Sequence, residues 1–361
     1  MANPSTASRS AKRAPGATSH DMRWSTIHSV QERTCNASLL LSAKGAWTTG
    51  TSSKVEWQTA RCPLVDMIGT PPSAPLLFVT IGDSHMRNAL LAVCQRSGSS
   101  VTWRRYTAEC SAHGGRLRGQ YQLLNLLDET AVKSAALHAH RAVVELGRVP
   151  DVVLLDGWQW ALQLLYTQSD EPAATAMRSA LVAQQWDGSP LPHAALLEDV
   201  ATLWAGNASD YVQTLATAFA RLATTRGERP PLLAWMTTQR SGSMTSLAMG
   251  RLNFTVGCSA DARCKSRTFF MTHISSNSTP RCCAPWLHPE VNAFLNARAR
   301  AMALAHGLLV LDAEQLLLSV RPEDYLWDAN HLRHQYTVGL QNLLFNAVTL
   351  SVSTSNLLHV L

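Results

Sequence analysis

The feature that most constrains this chain is a series of short, wholly apolar runs set apart by helix-length intervals. They are PLLFVTI (75–81), DVVLLD (151–156), PLLAWM (231–236) and LLVL (308–311). Short runs with no polar face read as strands covered on both sides. A further strand begins at SVTW (100–103). Between them lie helical patterns over 85–94, 119–146, 194–226 and 289–305. Leu197, Val200, Leu203 and Trp204 mark one face of the third helix, and Gly307 supplies a stop after the fourth. Alternating strands and helices predict an α/β chain: a doubly wound, flavodoxin-like three-layer sandwich with about five mainly parallel strands. Such sheets bind ligands beyond the carboxyl ends of their strands, so chemistry is expected just after 81, 156, 236 and 311.

The 361 residues are 46% hydrophobic and 16% charged, which suits one large core and excludes a disordered chain or a coiled coil. The net charge of +6 divides unevenly. Residues 1–34 carry Arg9, Lys12, Arg13, Arg23 and Arg33 against Asp21 and Glu32, a net of +3, so the other 327 residues also sum to only +3. With no basic block in the body, a nucleic-acid groove is not expected. The first 20 residues are rich in Ser, Ala and Arg and lack an apolar core, like a transit peptide or a disordered extension. The expected organisation is a tail over 1–34, a Cys-containing collar over 35–70, the main domain over 71–350 and a second tail over 351–361.

Eight cysteines, Cys35, Cys62, Cys94, Cys110, Cys258, Cys264, Cys282 and Cys283, give an even count. Cys258/Cys264 and Cys282/Cys283 fall in one polar segment, as loop staples would, and neither spacing suits a zinc knuckle. The pairing stays open. Sequons stand at Asn36, Asn207, Asn253 and Asn277. Cysteines and sequons together favour the secretory pathway, Golgi lumen or outside the cell, with a truncated or mis-started N-terminus; a plastid or other targeted compartment is the alternative. No integral membrane span is expected: 340–361 is uncharged but too polar, and reads as an amphipathic helix with a frayed end.

GDSH (82–85) follows the first strand and opens a helix. A serine there sits at the sheet edge, beside N–H donors and the positive end of a helix dipole that suit an oxyanion. Taken alone, Asp83 or Ser84 would be a helix cap. WDANHLR (327–333) follows the last strand and returns to the same edge. Asp328 and His331, two residues apart, could set a carboxylate on one ring nitrogen and leave the other to accept the Ser84 proton. His85, adjacent to Ser84, points away from it and is not the expected base. Arg87 either binds substrate oxygen or pairs with Asp83. Thr237, Thr238, Gln239 and Arg240 are expected on the pocket rim, and Trp158, Trp160, Trp235 and Trp327 at strand ends are expected to offer flat faces to a sugar, core packing being the other use of a Trp.

GDS with Arg87 three residues on, and a late DxxH, resemble the SGNH/GDSL hydrolase superfamily. Within it they are similar to the PC-esterase branch of trichome-birefringence-like and sialate O-acetyltransferase-like proteins. Gly45-Ala46-Trp47 and Cys62-Pro63-Leu64 are weakly similar to the Cys-flanked stretch ahead of the plant esterase domain. The resemblance implies Ser84 as nucleophile, His331 as base and Asp328 as its orienting acid, with an oxyanion hole from Ser84, Gly157 and Gln159. It implies substrate contacts at Arg87, Trp158, Trp160, Gln239 and Trp327, no cofactor and no metal. The implied partners are an acyl donor and a carbohydrate acceptor. The implied activity is O-acetyl transfer to a glycan through an acyl-serine. A carbohydrate acetylesterase and a non-catalytic glycan-binding relative are the alternatives.

Overall fold

The computed structural model of the chain describes residues 35–42, 45–49, 55–59, 62, 64–124, 129–156, 194–239, 289–326 and 331–358. Among these, a helix α1 (Ala37–Ser42) and a hairpin of β1 (Gly45–Thr49) and β2 (Val55–Thr59) precede the main sheet. The chain then runs through β3 (Leu76–Gly82), α2 (Ser84–Arg96), β4 (Val101–Trp103), β5 (Thr107–Ala112), β6 (Leu117–Leu123), α3 (Glu129–Leu146), β7 (Val152–Leu155) and α4 (Ala194–Arg226). It continues with β8 (Leu232–Met236), α5 (Pro289–Ala305), β9 (Leu309–Leu311), α6 (Ala313–Leu316), α7 (Pro322–Tyr325) and α8 (His334–Leu358).

The main sheet has seven strands in the order β4-β5-β6-β3-β7-β8-β9. The five from β6 to β9 are parallel, and β4 and β5 add an antiparallel edge. The parallel strands thus run second, first, third, fourth, fifth in chain order, the doubly wound arrangement expected from the alternation.

Strand alternation divides the core in two. Leu77, Val79, Ile81, Val153, Leu155 and Trp235 face α3, α4 and α5, while Leu76, Phe78, Val152, Leu154 and Met236 face α1, α2 and α8. Both faces are apolar, which is why the central strands read as unbroken hydrophobic runs.

The second parallel strand is a correction. It is β6, within a stretch read as the start of a helix over 119–146, whereas the expected strand at 100–103 is the antiparallel edge. Gln120 and Gln122 hide β6 because they are polar yet wholly buried in the sheet. Gln122 Nε2 donates to Gln120 Oε1 at 2.9 Å and to the His138 carbonyl at 3.1 Å, and Gln120 Nε2 donates to Glu145. Side chains and backbone of α3 take up the amide N–H groups that would otherwise disfavour burial, while Gln122 Oε1 has no hydrogen-bond partner among the described residues. Another difference lies at the end of the chain, where α8 continues to Leu358 into the expected tail. No Gly or Pro follows Gly339 to stop it.

Disulfides Cys35–Cys62 and Cys94–Cys110 close the collar and join α2 to β5. The other four cysteines and the 1–34 tail lie outside the described residues. The collar shares a core with the sandwich, Leu40, Trp57 and Ile68 packing with Leu340 and Leu344 of α8. Asn342 and Asn346 of α8 accept from the Met67 and Val65 amides. No helix among the described residues is long and apolar enough to cross a membrane.

Candidate active site

β3 ends between β6 and β7, where connections depart to opposite faces of the sheet: α2 packs on one face and α3 on the other. A crevice opens at such a switch point. Gly82 closes the strand, and a Cβ there would lie 2.4 Å from the Asp156 carbonyl and 2.5 Å from Met86 Cγ. Gly82→Ala must therefore spread β3 from β7. We expect it to lower stability by about 2 kcal/mol, within the range for overpacking a dense core, measurable by urea unfolding.

Asp83 caps α2, its Oδ1 accepting from the His85 amide at 2.7 Å. The His85 N–H is thus occupied, while the Ser84 N–H makes no hydrogen bond among the described residues. Ser84, first residue of the helix, is half-buried at the sheet edge. Its Oγ lies 2.8 Å from Nε2 of His331, 247 residues further along the chain. This is hydrogen-bond reach for proton transfer.

His331 is held by a small structure of its own. Leu326 and Leu332 form an isolated antiparallel bridge, and the Arg333 amide and Nε donate to the Tyr325 and Leu326 carbonyls at 2.7 and 2.9 Å. Beneath lies an apolar knot of Val55, Leu317, Tyr325, Leu326 and Tyr336. Trp47 of the collar caps it, with ring centroids 5.1 Å from Tyr336 and Nε1 donating to the Leu316 carbonyl at 2.7 Å. Gly339 leaves room for that indole, since a Cβ would sit 2.5 Å from it. The collar thereby fixes the segment bearing His331, a role that its similarity to a plant collar did not reveal. Trp47→Phe removes the N–H and leaves the Leu316 carbonyl unpaired. The expected loss is about 1 kcal/mol, checked by thermal unfolding.

Behind the Ser84–His331 pair lies a buried group of three. His85 Nδ1 is 3.4 Å from Asp156 Oδ2, with side-chain exposures of 4% and 0%. The His85 ring stands edge-on to His331, centroids 5.3 Å apart and planes at 88°. Burial pushes the Asp83 carboxyl up to about 6, with the Asp156 charge adding to the rise and the His85 and His331 imidazoles opposing it. Burial, with the Asp83 charge, also pushes the Tyr121 phenol upward. Donor atoms of Asp83, His85 and Asp156 lie within 4.8 Å of one another. The imidazole faces Asp156, and an Asp83 oxygen is taken by a backbone N–H. These contacts describe a buried cluster of one imidazole and two carboxyl groups.

Several expected site residues behave differently. Thr237, Thr238 and Gln239 are buried and do not form an open rim. Asn292 and Asn296 of α5 bind the Gln239 and Thr238 backbone, and Thr237 Oγ1 donates to Asp312 at 2.8 Å. Trp235 is core, edge-on to Trp204 at 5.9 Å. Arg87 is exposed and makes no ion pair with Asp83 among the described residues. Gly157, Trp158, Gln159, Trp160, Arg240, Trp327 and Asp328 lie outside the described residues. A cavity of about 680 Å³ opens elsewhere, between β2, the end of α2 and α8; Trp57, Gln58, Arg96 and Gln335 line it, and Ser84 and His331 do not.

No protein-family model matches the chain, and no curated protein matches it. Among solved structures it is similar to a catalytic mutant of an acetylxylan esterase from Geobacillus stearothermophilus, with 10% identity and a TM-score of 0.33 over 78% of this chain and 96% of the other. A likeness this low bears on neither the fold nor the chemistry of this chain.

Proposed function

We propose that the protein transfers acyl groups from esters through a covalent acyl-serine on Ser84. The observation that carries this reading is the 2.8 Å approach of His331 Nε2 to Ser84 Oγ at the carboxyl edge of the sheet. His331 takes the Ser84 proton as Oγ bonds to the ester carbonyl carbon. The oxyanion so formed faces the free Ser84 N–H and the α2 N-terminus. The intermediate collapses with loss of the alcohol, which leaves with the proton from His331. An acceptor hydroxyl then gives its proton to His331 and attacks the acyl carbon, and the second tetrahedral intermediate expels Ser84 Oγ, which takes that proton back from His331. Asp328 is assigned as the carboxylate that orients His331, as the DxxH spacing implies. Water as acceptor makes the protein an esterase.

The finer reading is a sugar hydroxyl as acceptor and acetyl as the acyl group, acting in the secretory pathway. It draws on the resemblance in GDS, Arg87 and DxxH, and on the two disulfides, which suit an oxidising compartment. Asn36, one of the sequons, is exposed. p-Nitrophenyl acetate should give a burst of one nitrophenolate per chain and an acetylated Ser84 by mass spectrometry. Added oligosaccharide should divert the acetyl group to sugar. A burst that added sugar never diverts would leave an esterase, and no acetyl on Ser84 would end the reading altogether.

A further inference from the structure

The buried group behind the dyad has no place in the mechanism above. Asp83 and His85 come from the N-terminus of α2, and Asp156 directly follows β7. All three are at most 5% exposed. Burying two carboxylates side by side is costly unless a cation lies with them. The His85 imidazole, 3.4 Å from Asp156 and adjoining Asp83, is placed to be that cation when protonated. With His85 protonated and both carboxylates ionised, the group carries one net negative charge. The neighbouring ring is His331, edge-on to His85.

We propose that Asp83, His85 and Asp156 form a buried, net-anionic base on which His331 rests, making Asp156 and His85 positioning residues for proton transfer. The imidazolium that His331 becomes on taking the Ser84 proton is the species such a charge stabilises. The edge-on His85 ring sets the plane of His331 so that Nε2 meets Ser84 Oγ. This proposal rests on the acyl-serine reading and adds to it a second source of negative charge, distinct from Asp328. Among the described residues, the titratable and charged groups around the cluster are Arg87 of α2, Tyr121 of β6 and His331. Arg87 is exposed and so is screened by water, and Tyr121 stays neutral through the working range because its phenol is pushed upward.

The test is the pH profile of p-nitrophenyl acetate turnover in Asp156→Asn and Asp83→Asn, with Ser84→Ala run in parallel. Each Asn keeps the shape of its Asp and removes one negative charge. Each should lower kcat by roughly tenfold or more, leave KM within about twofold, and move the acid limb of kcat to lower pH by about half a unit or more. The limb moves down because the imidazolium has lost its counter-charge. A packing role would lower activity without moving it. If Ser84→Ala is inactive while both Asn variants keep the wild-type limb, the acyl-serine reading stands and this proposal falls. If Ser84→Ala still turns over, both fall. Should Asp156→Asn fail to fold, Asp83→Asn decides alone.

Discussion

Ser84→Ala and His331→Ala are each expected to reduce ester turnover by roughly 10,000-fold or more, and the double variant should be little worse than either. Nucleophile and base act in one step, so losing either forfeits the same transition state. The substitutions are mild for the fold. Both side chains are half-buried, and they are joined by a single hydrogen bond across the crevice. Unfolding transitions should therefore stay within about 1 kcal/mol of wild type. Steady-state hydrolysis of p-nitrophenyl acetate, with urea unfolding on the same samples, checks both halves. Turnover in Ser84→Ala above a tenth of wild type would mean that the close approach to His331 serves no acyl chemistry.

The second large effect concerns stability and has the opposite sign. Asp83→Asn should stabilise the protein at pH 8 by about 2 to 3 kcal/mol and have little effect near pH 4. The ordinary carboxyl value is 3.8, and burial raises it in the folded state to about 6. Between these values the folded chain binds a proton that the unfolded chain does not. The contribution to stability is therefore whole below about 3.8 and is lost as pH rises through about 6. Above that, the fold carries an ionised carboxylate out of reach of water. Asn carries no charge and caps a helix about as well as Asp. Urea unfolding of both proteins at pH 4 and pH 8 measures the difference, in which the titrations of groups remote from Asp83 cancel. An equal difference at the two pH values would mean that Asp83 is not held upward. A gain in stability with a loss of turnover would mark Asp83 as kept for function at the expense of the fold.

How much of this was legible beforehand varies by residue. The strands at 75–81, 151–156, 231–236 and 308–311 declare themselves because they are short and almost wholly apolar, as burial of β3 and β7 on both faces demands. β6 breaks that rule: the amide nitrogens of Gln120 and Gln122 donate to α3, a partner that periodicity cannot foresee. Thr237, Thr238 and Gln239 follow a strand end as rim residues would, yet Asn292 and Asn296 of α5 draw that segment inward. His85 shows only its adjacency to Ser84 in the sequence. Its partner Asp156 lies 71 positions on, and nothing local joins them.

The sequence by itself determined the layered α/β class and the candidates Ser84 and His331, since apolar periodicity and short motifs are local properties. The tertiary structure decided the rest. It brought Ser84 and His331 together across 247 residues, enlisted Trp47 to hold the histidine's segment, and buried Asp83, His85 and Asp156 as one group. Contacts of that range depend on where a sheet's switch point places the ends of separate strands, and burial, which sets the charge of the cluster, exists only once the layers close.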